Sequence, residues 1–283
     1  MYVGDGTPMD FWDFSGWPSI TQNQNLSEPV VLTPNLMKHV NPNVKLLVIL
    51  RDPVDRQVNT CTVSNIVAFE KKKASCIYRL YSDYLFLEIG TPTAQAFDNA
   101  VNTSIAYFNH CVKQKGEKLC LFDRKLHINL QDEDNLVPVL SVRTRIHVSI
   151  YSVYLREWFK VFPREQILII RNEDYAKDIK GHLKKVFRFL DVVDLPEASL
   201  NLIEGRMRAY KTSKKRIAGP MLKKTRDQLE KFFEKYNLEL SSILNDTKFT
   251  WTDIPKTAGV DYRLNNRWKI PKKPSRKLTP GMD

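Results

Sequence analysis

Two short, continuous runs of apolar residues stand out along the chain. The first covers residues 46–50 (Leu-Leu-Val-Ile-Leu) and the second covers residues 166–170 (Gln-Ile-Leu-Ile-Ile). Both runs are aliphatic and rich in branched side chains, which is the pattern of strands buried on both faces of a parallel sheet. Charged residues follow each run at once, beginning with Arg51 and Arg171. We therefore predict two buried strands that end in polar loops.

Five further segments have the spacing or the capping residues of helices: 33–40, 94–112, 143–161, 176–190 and 222–244. In the first segment, Thr33 is predicted as the N-cap and Pro34 as the first helical residue. In the third, apolar side chains recur along one stripe at Ile146, Ile150, Val153, Tyr154 and Trp158. Strands that alternate with helices predict an α/β fold with a mainly parallel sheet flanked by helices.

The length of 283 residues allows one large α/β domain or two small ones. The hydrophobic fraction of 42% and the aromatic fraction of 11% are those of a globular protein. From about residue 257 onward the chain is rich in Pro and Lys and poor in apolar residues. We predict a folded domain over residues 1–256 and a basic, disordered tail over residues 257–283.

The formal net charge of +12 indicates an anionic partner. Nucleic acid, acidic lipid and sulfated polysaccharide all agree with the charge alone. Nine Lys or Arg residues and no acidic residue lie in segment 206–226, where Tyr210 is the one aromatic residue. Because single-stranded nucleic acid is bound by several stacked aromatic side chains, a nucleic-acid binder is the least favoured of these classes. The sequence shows no apolar run of roughly 20 residues and no signal-peptide pattern.

Arg51 is the first candidate for binding an anion. Ligands of parallel sheets bind at the carboxyl ends of the strands, and Arg51 directly follows the first predicted strand. Its planar, always-charged guanidinium matches the oxygens of a phosphate, and the hydroxyl of Ser82 is a suitable second donor. The alternative is that Arg51-Asp52-Pro53 is a charged turn after a strand, which is the more frequent role of such a tripeptide.

The basic segment 206–226 is the second candidate. A Gly-Pro turn at Gly219 precedes its final helix, and a loop of this kind can cover a phosphorylated ligand with Lys215 and Arg216 as counter-charges. A solvated basic surface is an equally good interpretation.

A third group, Arg143, Arg145 and His147, lies at the start of the predicted helix 143–161. Alternate residues do not share one helical face, so a joint site is not implied. A single histidine is more often structural than catalytic, and the five histidines have no metal-ligand spacing. The chain also lacks a P-loop, a Gly-x-Gly-x-x-Gly sequence and a Gly-x-Ser-x-Gly sequence. Nucleotide-kinase and serine-hydrolase functions are therefore not favoured, and no metal is predicted.

Four cysteines and three Asn-x-Ser/Thr sequons bear on the cellular compartment. Cys111 and Cys120 enclose a short polar loop that would suit a local disulfide, although four reduced thiols are an equal alternative on spacing alone. The sequons begin at Asn25, Asn102 and Asn245. Chance supplies that many in a chain of this length, so they support a secretory setting only weakly.

Two separated segments together resemble one known motif. Residues 47–56 (Leu-Val-Ile-Leu-Arg-Asp-Pro-Val-Asp-Arg) and 80–84 (Leu-Tyr-Ser-Asp-Tyr), joined without the intervening stretch, are similar to the 3′-phosphate-binding motif of the Golgi carbohydrate sulfotransferases, which use the sulfate donor PAPS. Further matches follow in the family's order at residues 3–5, 11–13, 108–120, 151–155, 167–174 and 219–221. The similarity is greatest to members that add a 6-O-sulfate to N-acetylgalactosamine 4-sulfate in chondroitin or dermatan sulfate.

This resemblance implies a PAPS-dependent sulfotransferase fold and assigns roles by position. Arg51 and Ser82 would bind the 3′-phosphate of the donor. Lys215, Arg216 and Gly219 would lie in the loop that covers that end of the nucleotide. The implied reaction is in-line transfer of a sulfuryl group to a sugar hydroxyl, assisted by a general base and by cationic groups, with no metal.

The resemblance also implies the setting in which the protein works. The family's members are type II Golgi membrane proteins with a luminal catalytic domain, so Cys111 and Cys120 would form a luminal disulfide. Arg145 would contact the acidic glycan or the donor. The expected partner is a sulfated glycosaminoglycan acceptor, nucleic acid is not expected, and the oligomeric state stays open.

The chain departs from the family pattern in two places. The Lys-containing loop that wraps the 5′-phosphosulfate, and the Glu proposed as the base, find no match here and are expected upstream of residue 1. Residues 57–79 form an insert between Arg51 and Ser82, which is either a bulged loop or a stretch foreign to the working fold. These departures predict an N-terminally truncated domain with little or no activity. The alternative function is a non-catalytic fragment that binds nucleotide or polyanion.

Overall fold

The computed structural model describes residue 4 and residues 6–55, 93–123, 144–205 and 220–254. Within them, strand β1 (Leu46–Leu50) pairs in parallel with strand β2 (Ile167–Arg171). The register runs from Leu46 opposite Ile167 to Leu50 opposite Arg171, so both strands end at the same edge. Both predicted strands are confirmed, and the alternation of strands and helices confirms the α/β fold class.

Eight α-helices are described. They are α1 (Thr33–Val40), α2 (Ala94–Lys115), α3 (Glu117–Leu121), α4 (Tyr151–Val161), α5 (Asn172–Lys177), α6 (Ile179–Leu190), α7 (Glu197–Glu204) and α8 (Lys223–Leu244). Helices α1, α2 and α8 lie where the sequence predicts them. None of the described helices is long and apolar enough to cross a membrane.

Two helix predictions differ in detail. The N-cap of α1 is Leu32 rather than Thr33, and the side chain of Asn35 accepts a hydrogen bond from the Leu32 amide over 2.9 Å. The predicted helix 176–190 is two helices, because Asp178 caps α6 by accepting a hydrogen bond from the Gly181 amide. Both differences arise from side chains that bond to the local backbone at a helix start.

The predicted helix 143–161 is wrong in its first half. Arg145 adopts the left-handed conformation (φ 41°, ψ 42°), which cannot continue an α-helix. A short 3-10 helix over Ile146–Ser149 follows, and α4 begins only at Tyr151. The apolar stripe of this segment is nevertheless buried, because the 3-10 helix and α4 both face the core.

The main core surrounds α4, which packs against α1 and α8. Tyr154 is fully buried and contacts Phe14 from the N-terminal segment and Phe122 from the end of α3, with ring centroids 5.9 and 6.3 Å apart. Trp158 donates its indole N–H to the carbonyl of Phe11. The aromatic, turn-rich N-terminal segment is thus part of the core.

Helices α2 and α3 are joined by a tight turn and by a disulfide. Cys111 and Cys120 are bonded, with their Cα atoms 5.7 Å apart. Gly116, between them, has a φ of 79°, a conformation that only glycine adopts without strain. The disulfide fixes α3 against α2 beside the main core.

Candidate anion-binding site at the end of the parallel strands

Two arginines lie at the carboxyl edge of the strand pair. Arg51 is the first residue after β1, and Arg171 is the last residue of β2, opposite Leu50. Parallel strands place their carboxyl ends together, which is where ligands of such sheets bind. The sequence pattern predicted this position for Arg51, and the register brings Arg171 beside it.

Glu173 lies between the two arginines. Its Oε1 atom is 3.7 Å from Nε of Arg51 and accepts a hydrogen bond of 3.1 Å from the amide of Asp52. Its Oε2 atom is 3.7 Å from Nε of Arg171 and accepts a hydrogen bond of 3.0 Å from the indole of Trp251. One carboxylate is therefore an ion-pair partner of both arginines.

The two arginines differ in their access to solvent and in their partners. The side chain of Arg171 is 2% exposed and forms a bidentate pair with Asp253, at 2.9 and 2.5 Å. Burial alone would lower the pKa of Arg171, but its hydrogen bonds to Asp253 raise it. The side chain of Arg51 is 20% exposed. Arg171 is thus a structural ion-pair partner, whereas Arg51 is the arginine with a solvent-facing surface.

Burial dominates the electrostatics around Arg51. It lowers the pKa of Arg51, against the opposing charges of Glu173, Asp55 and Asp52. Burial also raises the pKa of Asp52 to about 7, and the neighbouring Asp55 carboxylate adds to this rise. A guanidinium that is only partly exposed attracts an anion more strongly than one in bulk water does. Because the carboxylates of Glu173, Asp55 and Asp52 all oppose an anion at Arg51, the site suits an anionic ligand best when Asp52 is protonated.

The first turn of α8 is held against this end of β1. Arg226 forms an ion pair of 2.6 Å with Asp55, four residues after Arg51. Lys224 and Thr225 both bond to the buried carboxylate of Asp98 on α2. Burial alone would raise the pKa of Asp98, but these bonds hold it below its usual value. The chain that follows the basic loop is thereby fixed beside the Arg51 junction.

This placement revises the interpretation of segment 206–226. Its three described basic residues each have an acidic partner: Lys223 pairs with Asp227, Lys224 with Asp98 and Arg226 with Asp55. The helical end of the segment is therefore neutralised rather than a source of positive charge for a ligand. Lys215, Arg216 and Gly219 lie outside the described residues, as do Ser82, Arg143 and the insert 57–79.

The segment that contains Arg145 is built into the core. Thr144 donates a hydrogen bond to Ser104 of α2, and both side chains are buried. His147 is 2% exposed, and its ring lies edge-on to Trp12 with centroids 5.8 Å apart. The surroundings of His147 are those of a structural histidine. Arg145 is half-buried at the start of this segment, and its contact to a glycan or donor stays a prediction.

Several residues of the site were not predicted. Glu173 follows the second strand by two positions, so the rule that located Arg51 could also have located Glu173. Trp251 and Asp253 come from the loop after α8, where no local pattern marks them. Within the described ranges, no three His, Cys, Asp or Glu side chains lie close enough together to hold a metal ion.

A separate open groove of about 910 Å³ lies between the N-terminal segment and the α2–α3 turn. Trp17, Lys115 and Phe122 are among its lining residues, which include neither Arg51 nor Glu173. The groove and the candidate site are therefore distinct features of the molecule.

In a comparison with known proteins, residues 12–239 match one family model, the sulfotransferase domain. Carbohydrate sulfotransferase 15 of Rattus norvegicus is 30% identical over 250 residues, which is 88% of this chain and 38% of the relative. The Homo sapiens protein of that name is 29% identical over the same shares. That of Nototodarus sloanii is 33% identical over 154 residues, which is 53% of this chain and 87% of the relative.

The chain thus spans less than half the length of the two mammalian relatives. Among solved structures, a sulfotransferase from Alicyclobacillus acidocaldarius is similar with a TM-score of 0.42 and 18% identity, over 76% of this chain and 60% of that one. A structural similarity this distant gives no information about individual site residues.

Proposed function

The chain belongs to the sulfotransferase family, and on that premise we propose that the whole protein transfers a sulfuryl group from PAPS to a hydroxyl group of a glycosaminoglycan. The proposed acceptor position is the 6-O position of N-acetylgalactosamine 4-sulfate in chondroitin or dermatan sulfate. The sequence similarity to the carbohydrate sulfotransferase 15 proteins supports a carbohydrate acceptor. The net charge of +12 supports a polyanionic acceptor. The proposed location is the Golgi lumen, as part of a type II membrane protein.

The observation that carries the proposal is the position of Arg51. A guanidinium at the carboxyl end of a parallel strand, partly solvent-facing and oriented by Glu173, fits the oxygens of a phosphate group. The neighbouring Arg171 is buried, and its guanidinium is already paired with the carboxylate of Asp253. We therefore assign the 3′-phosphate of the donor to Arg51, with Ser82 as a second donor of hydrogen bonds.

The remaining roles follow from this assignment. PAPS supplies a sulfuryl group whose bond to the bridging oxygen breaks as the sugar oxygen bonds to sulfur and a general base takes the hydroxyl proton. Arg51 binds and orients the nucleotide, and Glu173 holds Arg51 in place. Lys215, Arg216 and Gly219 are proposed to cover the nucleotide, since the pairs of Arg226 and Lys224 fix the end of their loop beside Arg51.

A non-catalytic protein that binds nucleotide or polyanion is the alternative. The same Arg51 site and the same net charge support ligand binding without transfer. The difference between the two functions is whether sulfate moves to an acceptor.

Two measurements on the purified 283-residue chain separate these functions. The first follows radiolabelled sulfate from PAPS to chondroitin sulfate. The second measures PAP binding by calorimetry in the wild type, in Arg51→Ala and in Arg156→Ala. Arg156 is the control because its side chain is 43% exposed and pairs with Glu239 on the surface.

We expect Arg51→Ala to weaken PAP binding by about 10- to 100-fold, since a hydrogen bond to a charged group contributes roughly 1.5–3 kcal/mol. Arg156→Ala should bind PAP like the wild type. PAP binding without transfer, both by this chain and by a version extended upstream, would support the alternative function. If the wild type neither binds PAP nor transfers sulfate, or if Arg51→Ala binds PAP normally, the assignment of this site is wrong.

A further inference from the structure

Two of the three sequons lie at exposed turns. Asn25 and Asn245 both adopt the left-handed conformation, with φ of 63° and 50°. Both are exposed, as are the residues that carry the sequon hydroxyls, Ser27 and Thr247. Asn25 lies in the turn after a short 3-10 helix, and Asn245 is the C-cap of α8. Asparagines that accept N-linked glycans belong in surface loops, because the attached glycan is large and hydrated.

The third sequon is placed differently. Asn102 lies inside α2, where its Nδ2 atom donates to the carbonyl of Asp98 over 2.9 Å. Its Oδ1 atom accepts a hydrogen bond of 2.8 Å from Gln228 of α8. The sequon hydroxyl belongs to Ser104, which is buried and bonded to Thr144. Asn102 is itself exposed, but both polar atoms of its amide are bonded, and its sequon hydroxyl is buried.

A separate observation concerns the compartment. The disulfide between Cys111 and Cys120 is a feature of proteins that fold in an oxidising environment. Oligosaccharides are attached to sequons in that same environment. The fold therefore combines an oxidised cysteine pair with two sequons whose asparagine and hydroxyl residues are both exposed.

We propose that Asn25 and Asn245 carry N-linked oligosaccharides and that Asn102 is the least occupied sequon. The donor is a lipid-pyrophosphate-linked oligosaccharide. Its bond between the first sugar carbon and the pyrophosphate oxygen breaks, and that carbon bonds to Nδ2 of the asparagine. The amide loses one proton, and the lipid pyrophosphate leaves. The inference rests on the luminal location given under Proposed function.

Asn245 lies at the opposite end of α8 from the ion pair of Arg226, although Trp251, six residues after Asn245, reaches Glu173 of the site. Asn245 follows the last residue of α8, whereas Arg226, which pairs with Asp55, lies in its first turn. With a rise of 1.5 Å per residue, these two residues are about 28 Å apart along the helix.

The test uses the 283-residue chain secreted from cultured mammalian cells behind a cleavable signal. Peptide N-glycosidase converts each modified Asn to Asp, and mass spectrometry of the peptides reports the occupancy at each sequon. We expect conversion at Asn25 and Asn245 and lower conversion at Asn102. Ser27→Ala and Thr247→Ala should each remove one glycan on a gel, while Ser27→Thr and Thr247→Ser, which keep the hydroxyl, should retain it.

Absence of conversion at Asn25 and Asn245, or conversion at Asn102 equal to theirs, would overturn the inference. Since the readout requires neither PAPS nor an acceptor, its result is independent of catalysis. A glycosylated chain that neither binds PAP nor transfers sulfate would contradict the proposed function alone. An unmodified chain that transfers sulfate would contradict the glycan sites alone.

Discussion

Trp251 donates its indole N–H to the Oε2 atom of Glu173 over 3.0 Å, across 78 positions of sequence. The other oxygen of that carboxylate faces Arg51. Trp251 is itself 2% exposed and packs against Tyr151 and Phe249. The segment after α8 therefore takes part in positioning the arginine that we assign to the donor phosphate.

The first prediction concerns this hydrogen bond. Trp251→Phe should lower the free energy of unfolding by about 2–4 kcal/mol, through the lost bond to a charged group and the lost volume. It should also weaken PAP binding about three- to tenfold, because Glu173 loses one of the contacts that orient it. Urea unfolding and calorimetry measure the two effects.

Trp158→Phe is the matched control for Trp251→Phe. Trp158 is also buried and donates its indole N–H over 3.0 Å, but to the backbone carbonyl of Phe11 in the core. Its replacement should reduce stability without changing the affinity for PAP. Equal loss of PAP affinity in both variants would show that Trp251 acts only through overall stability.

The second prediction concerns pH. Because burial and the neighbouring Asp55 carboxylate raise the pKa of Asp52 from 3.8 to about 7, the folded state favours protonated Asp52. The stabilisation that protonated Asp52 contributes is present below its ordinary pKa of 3.8 and is lost as the pH rises through about 7. Asp52→Asn resembles the protonated form and keeps an acceptor for the Val54 amide. It should therefore be more stable than the wild type at about pH 8, by more than at about pH 5, because the wild type loses this contribution progressively between pH 3.8 and about 7.

Urea unfolding of both proteins at the two pH values checks this expectation. The same difference in unfolding free energy at both pH values would show that Asp52 does not titrate as described. PAP affinity should follow the same order, since removal of a negative charge beside Arg51 favours an anionic ligand.

The third prediction concerns the carboxylate that joins α2 to α8. Asp98→Asn should lower the free energy of unfolding by about 2–3 kcal/mol, because buried bonds to Lys224 and Thr225 lose their charged acceptor. Those bonds lower the pKa of Asp98 although burial opposes them. Its contribution is thus present above the ordinary pKa of 3.8 and is lost as the pH falls through the lower, folded-state value.

Asp227→Asn is the control for Asp98→Asn. This substitution removes the exposed ion pair between Asp227 and Lys223, which lie one turn apart on α8. It should lower the free energy of unfolding by less than about 0.5 kcal/mol. Urea unfolding at about pH 7 compares the two variants. Similar costs would mean that the buried position of Asp98 contributes nothing beyond a surface ion pair.

The fourth prediction concerns the disulfide. The Cys111–Cys120 bond closes a short loop, for which the chain-entropy relation gives a stabilisation of about 2–3 kcal/mol. Replacement of both cysteines by Ala should therefore lower the free energy of unfolding by about that amount. Mass spectrometry of the wild type under non-reducing conditions should recover the two cysteine peptides linked. An unchanged unfolding midpoint in the double variant would contradict a stabilising role.

Local sequence determined the elements that carry the site. Continuous aliphatic runs specify β1 and β2, since such runs are stable only when both faces are buried. Periodic apolar residues specify α2 and α8, and the position of Arg51 directly after β1 places it at the ligand-binding edge. The same patterns did not reveal the start of α4, because the left-handed conformation of Arg145 depends on packing around Thr144 and Ser104 rather than on periodicity.

Tertiary structure alone decided which charges pair. The register of two strands brings Arg171 beside Arg51, and residues from the far end of the chain, Trp251 and Asp253, complete the surroundings of both. Arg226 reaches Asp55 across 171 positions. A linear pattern records periodicity and element ends, whereas burial and pairing depend on how those elements pack. The sequence could therefore indicate that Arg51 binds an anion, but only the fold shows that Glu173 orients it.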